Sequence, residues 1–202
     1  MLSKETFQGQ EIFNWKFGPS NFRMLPYCGA RLMSWDLNLS GDQTRSIIHW
    51  PENADLENPA KVRGGNPILF PFSARTFNKG KQNYWKAPNK EVLPMPMHGF
   101  AKAGKFDLVE ADENSITLKL IPTGKDQQAY PFDYEFLVNY RFEMLSLEVE
   151  FLLSNLGDQK MPWSAGHHFY FALPWHNSFG RENYRIVLPG CKAVYHAADG
   201  SL

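Results

Sequence analysis

The sequence predicts an all-β fold, an antiparallel β-sandwich, and three observations carry that prediction. Apolar residues recur with period two over long segments. Short polar stretches join those segments, as in a meander. The 15 glycines and 14 prolines are spread along the 202 residues, which disfavours long helices and supplies turns between strands.

Taken in chain order, "RGGNPILFPFSAR" (63–75) has an apolar middle that reads as a strand, with Gly64, Gly65 and Pro67 shaping its start and an arginine at each end. The stretch 78–97 has no clean period and reads as a long loop, either functional or decorative. In "SITLKL", Ile116, Leu118 and Leu120 alternate with polar residues. In "FDYEFLVNYRF", Phe132, Tyr134, Phe136, Val138, Tyr140 and Phe142 fall on one face, with Asp133, Glu135, Asn139 and Arg141 between them. "LSLEVEF" repeats the pattern with Leu145, Leu147, Val149 and Phe151. With polar joins at "EADENS" and "EM", these three segments are expected to form an antiparallel meander. No repeat or linker marks a second domain, so residues 1–202 are expected to form one.

Lysine plus arginine equals aspartate plus glutamate at 21 each, so no overall field draws the chain to nucleic acid or an anionic membrane. The expected partner is a small molecule, neutral or held by local charge. No apolar run approaches the roughly 20 residues of a membrane span, and "MLSKETFQGQEIFNW" lacks a secretion signal's apolar segment, so the expected location is cytoplasmic. Cys28 and Cys191 form no C-x-x-C and read as ordinary small packed residues. The aromatic content, 15%, suits either a core or a site that stacks on sugar rings.

Six histidines are the main candidates for chemistry. None lies in an H-x-H, H-x-x-x-H or H-E-x-x-H spacing, so the use of imidazole near neutral pH is proton transfer and no metal is expected. Motifs for a nucleophilic serine, a P-loop or a dinucleotide cofactor are also missing from the sequence, and no cofactor is expected. In "AGHHFYFALPW" a strand would send adjacent histidines to opposite faces. His167, Phe169, Phe171 and Leu173 make the core-like face; His168, Tyr170 and Ala172 make the face where a ligand is met. His98, in "PMPMHGF", follows two prolines and precedes Gly99. It reads either as an imidazole held at a cleft mouth or as a turn histidine bonded to a nearby carbonyl.

Five pieces in order, "GARLMSW", "RGGNPILFPFSAR", "MHGFAKAGKF", "YPFDYEFLVNYRF" and "AGHHFYFAL", resemble the aldose 1-epimerase family over roughly residues 20–175. The resemblance implies a galactose mutarotase-like β-sandwich, or supersandwich, and an isomerase that interconverts sugar anomers without a cofactor. It implies that His98 and His168 lie over the sugar, one protonating the ring oxygen and the other orienting the substrate. It also implies that Arg75 binds sugar hydroxyls; Tyr170, on the ligand face of its strand, is expected to contact substrate beside His168. "RGG", with Arg63, resembles the hexose-6-phosphate epimerase branch, where added arginines hold phosphate; otherwise Arg63 is a turn arginine.

The pattern departs at the end. The family's general base is a glutamate near the C-terminus, whereas only Glu182 and Asp199 follow His168 here and neither matches that context. The expectation is a chain whose C-terminal strands are missing, leaving sheet edges open to self-association. The alternatives are strands supplied by a partner, or a carbohydrate-binding module without turnover.

Overall fold

A computed structural model of the chain describes residues 1–40, 43–192, 194, 195, 197 and 198. The first 48 residues build one antiparallel meander of five strands: β1 (Leu2–Phe7), β2 (Gln10–Phe17), β3 (Ser20–Leu25), β4 (Arg31–Asn38) and β5 (Thr44–Ile48). After it come β6 (Ile68–Leu69) and four short strands, β7 (Phe77–Asn78), β8 (Lys81–Gln82), β9 (Tyr84–Lys86) and β10 (Val92–Pro94). A second meander follows: β11 (Lys105–Ala111), β12 (Ser115–Ile121), β13 (Tyr134–Phe142) and β14 (Leu147–Asn155). Last, β15 (Gly166–His167) pairs with β6, His167 opposite Ile68.

The two meanders face each other over one aromatic core. Phe13, Trp15, Phe22 and Met24 come from the first sheet, and Phe106, Ile116, Leu118, Phe136, Val138 and Phe142 from the second, all essentially inaccessible. Trp15 stacks on Phe142 with ring centroids 4.3 Å apart, and Phe70, from the stretch after β6, lies on Phe136 at 4.1 Å. Each such ring removed to alanine would cost about 3–5 kcal/mol. Two polar atoms carried into the core find partners: the Tyr140 hydroxyl donates to the Ala30 carbonyl at 2.8 Å, and the Trp85 indole to the Ala129 carbonyl at 3.0 Å.

The period-two segments are strands, and their alternate residues point inward as the sequence requires; β12 alternates half-buried and buried along its whole length. Three details differ from the sequence reading. "EADENS" links β11 to β12, and a six-residue helix, α1 (Gly124–Ala129), stands between β12 and β13. Thr123 caps it, accepting from the Asp126 N–H at 3.2 Å while its own N–H donates to Asp126 Oδ2 at 2.9 Å. The stretch 78–97 is not irregular throughout, because β7 pairs with β8 and β9 with β10. In "RGGNPILFPFSAR" only Ile68–Leu69 is strand; Phe70 bridges to Gly99, and Pro71 and Ala74 turn the chain toward the site. Beyond β14 no further strand pairs with its outer edge among the described residues, and its inward residues Leu147, Val149, Phe151 and Leu153 are half-buried.

Candidate active site

His98 sits in the turn that returns the chain from β10 to the core. Its backbone is left-handed, φ 67°, and so is Ala74, φ 64°, across from it. The two residues grip each other: the His98 N–H donates to the Ala74 carbonyl at 2.7 Å, and the Ala74 N–H donates to His98 Nδ1 at 3.0 Å. An amide donor facing Nδ1 places the proton of the neutral ring on Nε2. Gly99 has φ 70°, and a Cβ there would collide with the Phe70 carbonyl, so only glycine lets the turn close. The carbonyl bonded to His98 is therefore met by its backbone, and its ring accepts from an amide.

His168 stands on the strand-like run that continues β15. Tyr170 donates its N–H to the Gly65 carbonyl at 3.0 Å, and its own carbonyl accepts from the His49 N–H at 2.8 Å, which wedges the run between two earlier segments. Its parity is as the sequence requires. The rings of His168 and Tyr170 lie 5.0 Å apart, and those of His167 and Phe169 lie 5.3 Å apart. The second set is not a closed core, however: Phe169 is half-buried, while His167 and Phe171 are exposed along part of their surface.

Asn66, wholly buried, ties both histidines down. Its Oδ1 accepts from the His168 N–H at 3.1 Å, and its Nδ2 lies 3.1 Å from His167 Nδ1, donating to it. The His167 ring lies on Phe151, centroids 4.4 Å apart, with Phe169 beside it. Loss of hydration against these rings holds its pKa down, at about 4.

The imidazoles of His98 and His168 meet with centroids 5.4 Å apart and planes at 68°. Two connected hollows share Met97 and these rings. One, about 250 Å³, adds Ala74 and half-buried Arg75. The other, about 370 Å³, adds Tyr170 and four cations, Arg31, Lys61, Arg63 and Lys102, with no carboxylate among its described lining residues. Burial, with Arg31 nearby, lowers the Lys102 pKa. The five residues singled out from sequence, His98, His168, Arg75, Arg63 and Tyr170, therefore converge on one cleft, with Arg75 and Arg63 in its two separate hollows.

A larger groove, about 870 Å³, lies between β5 and residues 170–181. Among its described lining residues it holds one imidazole, His49, and neither a carboxylate nor a second imidazole, so the smaller cleft is the better site for proton transfer. Glu182 is exposed in a short turn of helix and does not line the cleft; Asp199 lies outside the described residues. Cys28 is half-buried, but Cys191 is exposed, contrary to its reading as a packed residue, because residues 185–192 make few inward contacts.

Sequence reasoning missed Arg31 and Asn66. Each offered a weak signal: a charge inside the apolar "GARLMSW", and an amide between two glycines and a proline.

The comparisons agree with this fold. The chain is 29% identical over 135 residues to the plasmid-encoded protein LacX of Lactococcus lactis subsp. lactis, covering 64% of this chain and 44% of that protein. It is 24% identical over 117 residues to the "Putative glucose-6-phosphate 1-epimerase" of Escherichia coli (strain K12), covering 56% of this chain and 34% of that one. Among solved structures, a galactose mutarotase related enzyme from Lactobacillus acidophilus superposes with a TM-score of 0.65 at 24% identity, covering 85% of this chain and 52% of that one. A galactose mutarotase-like protein from Clostridium acetobutylicum gives a TM-score of 0.68 at 17% identity, covering 88% and 55%. The chain thus spans about half the length of these structural relatives, and less than half of the two curated ones. The pattern that defines the family described as Aldose 1-epimerase matches residues 24–191, and the chain belongs to that family.

Proposed function

We propose that the cleft binds a hexose and interconverts its α and β anomers by acid and base catalysis of ring opening. The observation that carries this reading is the facing pair of imidazoles, one of them locked by backbone. Opening the ring needs a proton delivered to the ring oxygen as the anomeric hydroxyl loses one; the C1 aldehyde then rotates and the ring recloses on the other face.

The two histidines differ in what they can supply. With the Ala74 amide donating to its Nδ1, His98 is oriented to stabilise a developing oxyanion through Nε2. His168, facing it across the cleft, takes the role of acid. Arg75 binds sugar hydroxyls from one side, and Tyr170 offers a ring face from the other. No carboxylate lines the cleft among the described residues, so these residues account for the acid and the orientation, not for the base.

A second reading is specific to phosphorylated hexoses. Among the described residues, four cations and no carboxylate line the larger hollow, although the chain as a whole has zero net charge. The likeness to the Escherichia coli protein, whose name specifies glucose 6-phosphate, supports the same reading.

Anomer exchange measured by saturation-transfer NMR on glucose, galactose and glucose 6-phosphate tests both readings. Exchange faster than buffer is expected, with a loss of at least about 100-fold in His168→Asn and a smaller loss in His98→Asn. Preference for the phosphorylated sugar is expected to vanish in Arg63→Ala. Exchange at the buffer rate with every sugar, with binding retained, would replace the isomerase with a carbohydrate-binding module.

A further inference from the structure

Arg31 opens β4 with 1% of its surface exposed, and no carboxylate pairs with it among the described residues. Its hydrogen-bond partners among the described residues are carbonyls. Nη1 donates to Pro59 at 2.8 Å, Nη2 to Val62 at 2.6 Å, and Nη2 and Nε both to Gly64, at 2.7 and 3.1 Å. The Trp50 ring centroid lies 5.4 Å from the guanidinium carbon.

Packing alone does not account for this residue, because an apolar side chain of similar volume in a buried ionic slot is often neutral or stabilising. What is specific to arginine is the planar fork, which serves several acceptors in one geometry as an ammonium cannot. All three accepting carbonyls belong to residues 59–64, the stretch that carries Lys61 and Arg63 to the cleft. Its far end is also fixed to β4, since the Asn66 N–H donates to the Leu32 carbonyl at 2.8 Å. Gly64 is packed so tightly that a Cβ would strike Pro51, so the loop lies close against residues 49–51 where Arg31 holds it.

We infer that Arg31 is a positioning residue: its fork sets the 59–64 loop so that Lys61 and Arg63 face the phosphate of a phosphorylated sugar held at His98 and His168. The inference rests on the phosphorylated-hexose reading above. Arg31 acts through the loop's geometry, so its charge without its fork is not enough.

The test compares the whole chain with Arg31→Lys and Arg31→Gln. Dissociation constants for glucose and glucose 6-phosphate give a selectivity ratio, and mass spectrometry follows tryptic cleavage after Lys61 and Arg63 against cleavage after Lys119 within β12. The ratio is expected to fall by about tenfold in both variants, the loss of roughly one charge-assisted hydrogen bond. The two loop bonds are expected to be cut well before Lys119. A ratio that stays constant while both sugars weaken in proportion overturns the proposal, as does an Arg31→Lys protein with wild-type selectivity. A wild-type chain that does not prefer the phosphorylated sugar refutes the phosphate reading. Unchanged cleavage at the loop in both variants refutes the positioning role, so the two failures are told apart. Should either variant unfold, inorganic phosphate added to wild type must protect the two loop bonds from trypsin; no protection counts against the proposal.

Discussion

Acidification should destabilise this protein through His167. Its Nδ1 accepts from the Asn66 amide while its ring lies on Phe151. A proton on Nδ1 would oppose the amide donor, and Asn66 cannot turn over to help because its Oδ1 already accepts from the His168 N–H. The folded pKa, about 4, lies below the ordinary histidine value of 6.5, so the unfolded chain binds the proton more readily. Stability from this group is therefore complete above about pH 6.5 and is lost as pH falls toward 4. For a fully enclosed ring the loss by pH 5 would be about 2 kcal/mol; part of His167 reaches solvent, which brings the expectation to roughly 1 kcal/mol. Urea unfolding of wild type and His167→Phe at pH 7 and pH 5 measures it. Carboxylates titrate in both proteins, so the difference between the two pH dependences isolates the imidazole. Parallel pH dependences would refute the reasoning, and so would a steeper one in the variant.

Two further perturbations probe the scaffold. Gly99→Ala forces a side chain into a left-handed turn and against the Phe70 carbonyl; it should cost at least about 2 kcal/mol in thermal unfolding and displace the His98 resonances in an NMR spectrum. Thr123→Ala removes the reciprocal cap of α1 and should cost about 1 kcal/mol in urea unfolding, leaving sugar binding unchanged because the helix lies away from the cleft.

The second meander was legible because β12 and β13 bury every other residue, so period two survives in the sequence. β11 was not, since Phe106 is its single buried residue and its outward positions carry no pattern. The first sheet was also missed as strands: β3 and β4 have consecutive buried residues, and bulges between Arg23 and Met24 and between Trp35 and Asp36 shift their register. At the cleft, His168 could be separated from His167 by parity alone, and His98 by its turn. Arg31 and Asn66 could not be read, because their acceptors and donors lie about 30 and 100 residues away and are largely main-chain atoms that carry no residue identity.

That same anonymity has a consequence for His98. Its imidazole is oriented by the Ala74 amide, a group present at every position except proline. That geometry places no chemical demand on the side chain at 74 beyond tolerance of φ 64° and of a buried position. Substitutions at 74 that keep this backbone leave the orientation of the imidazole unchanged.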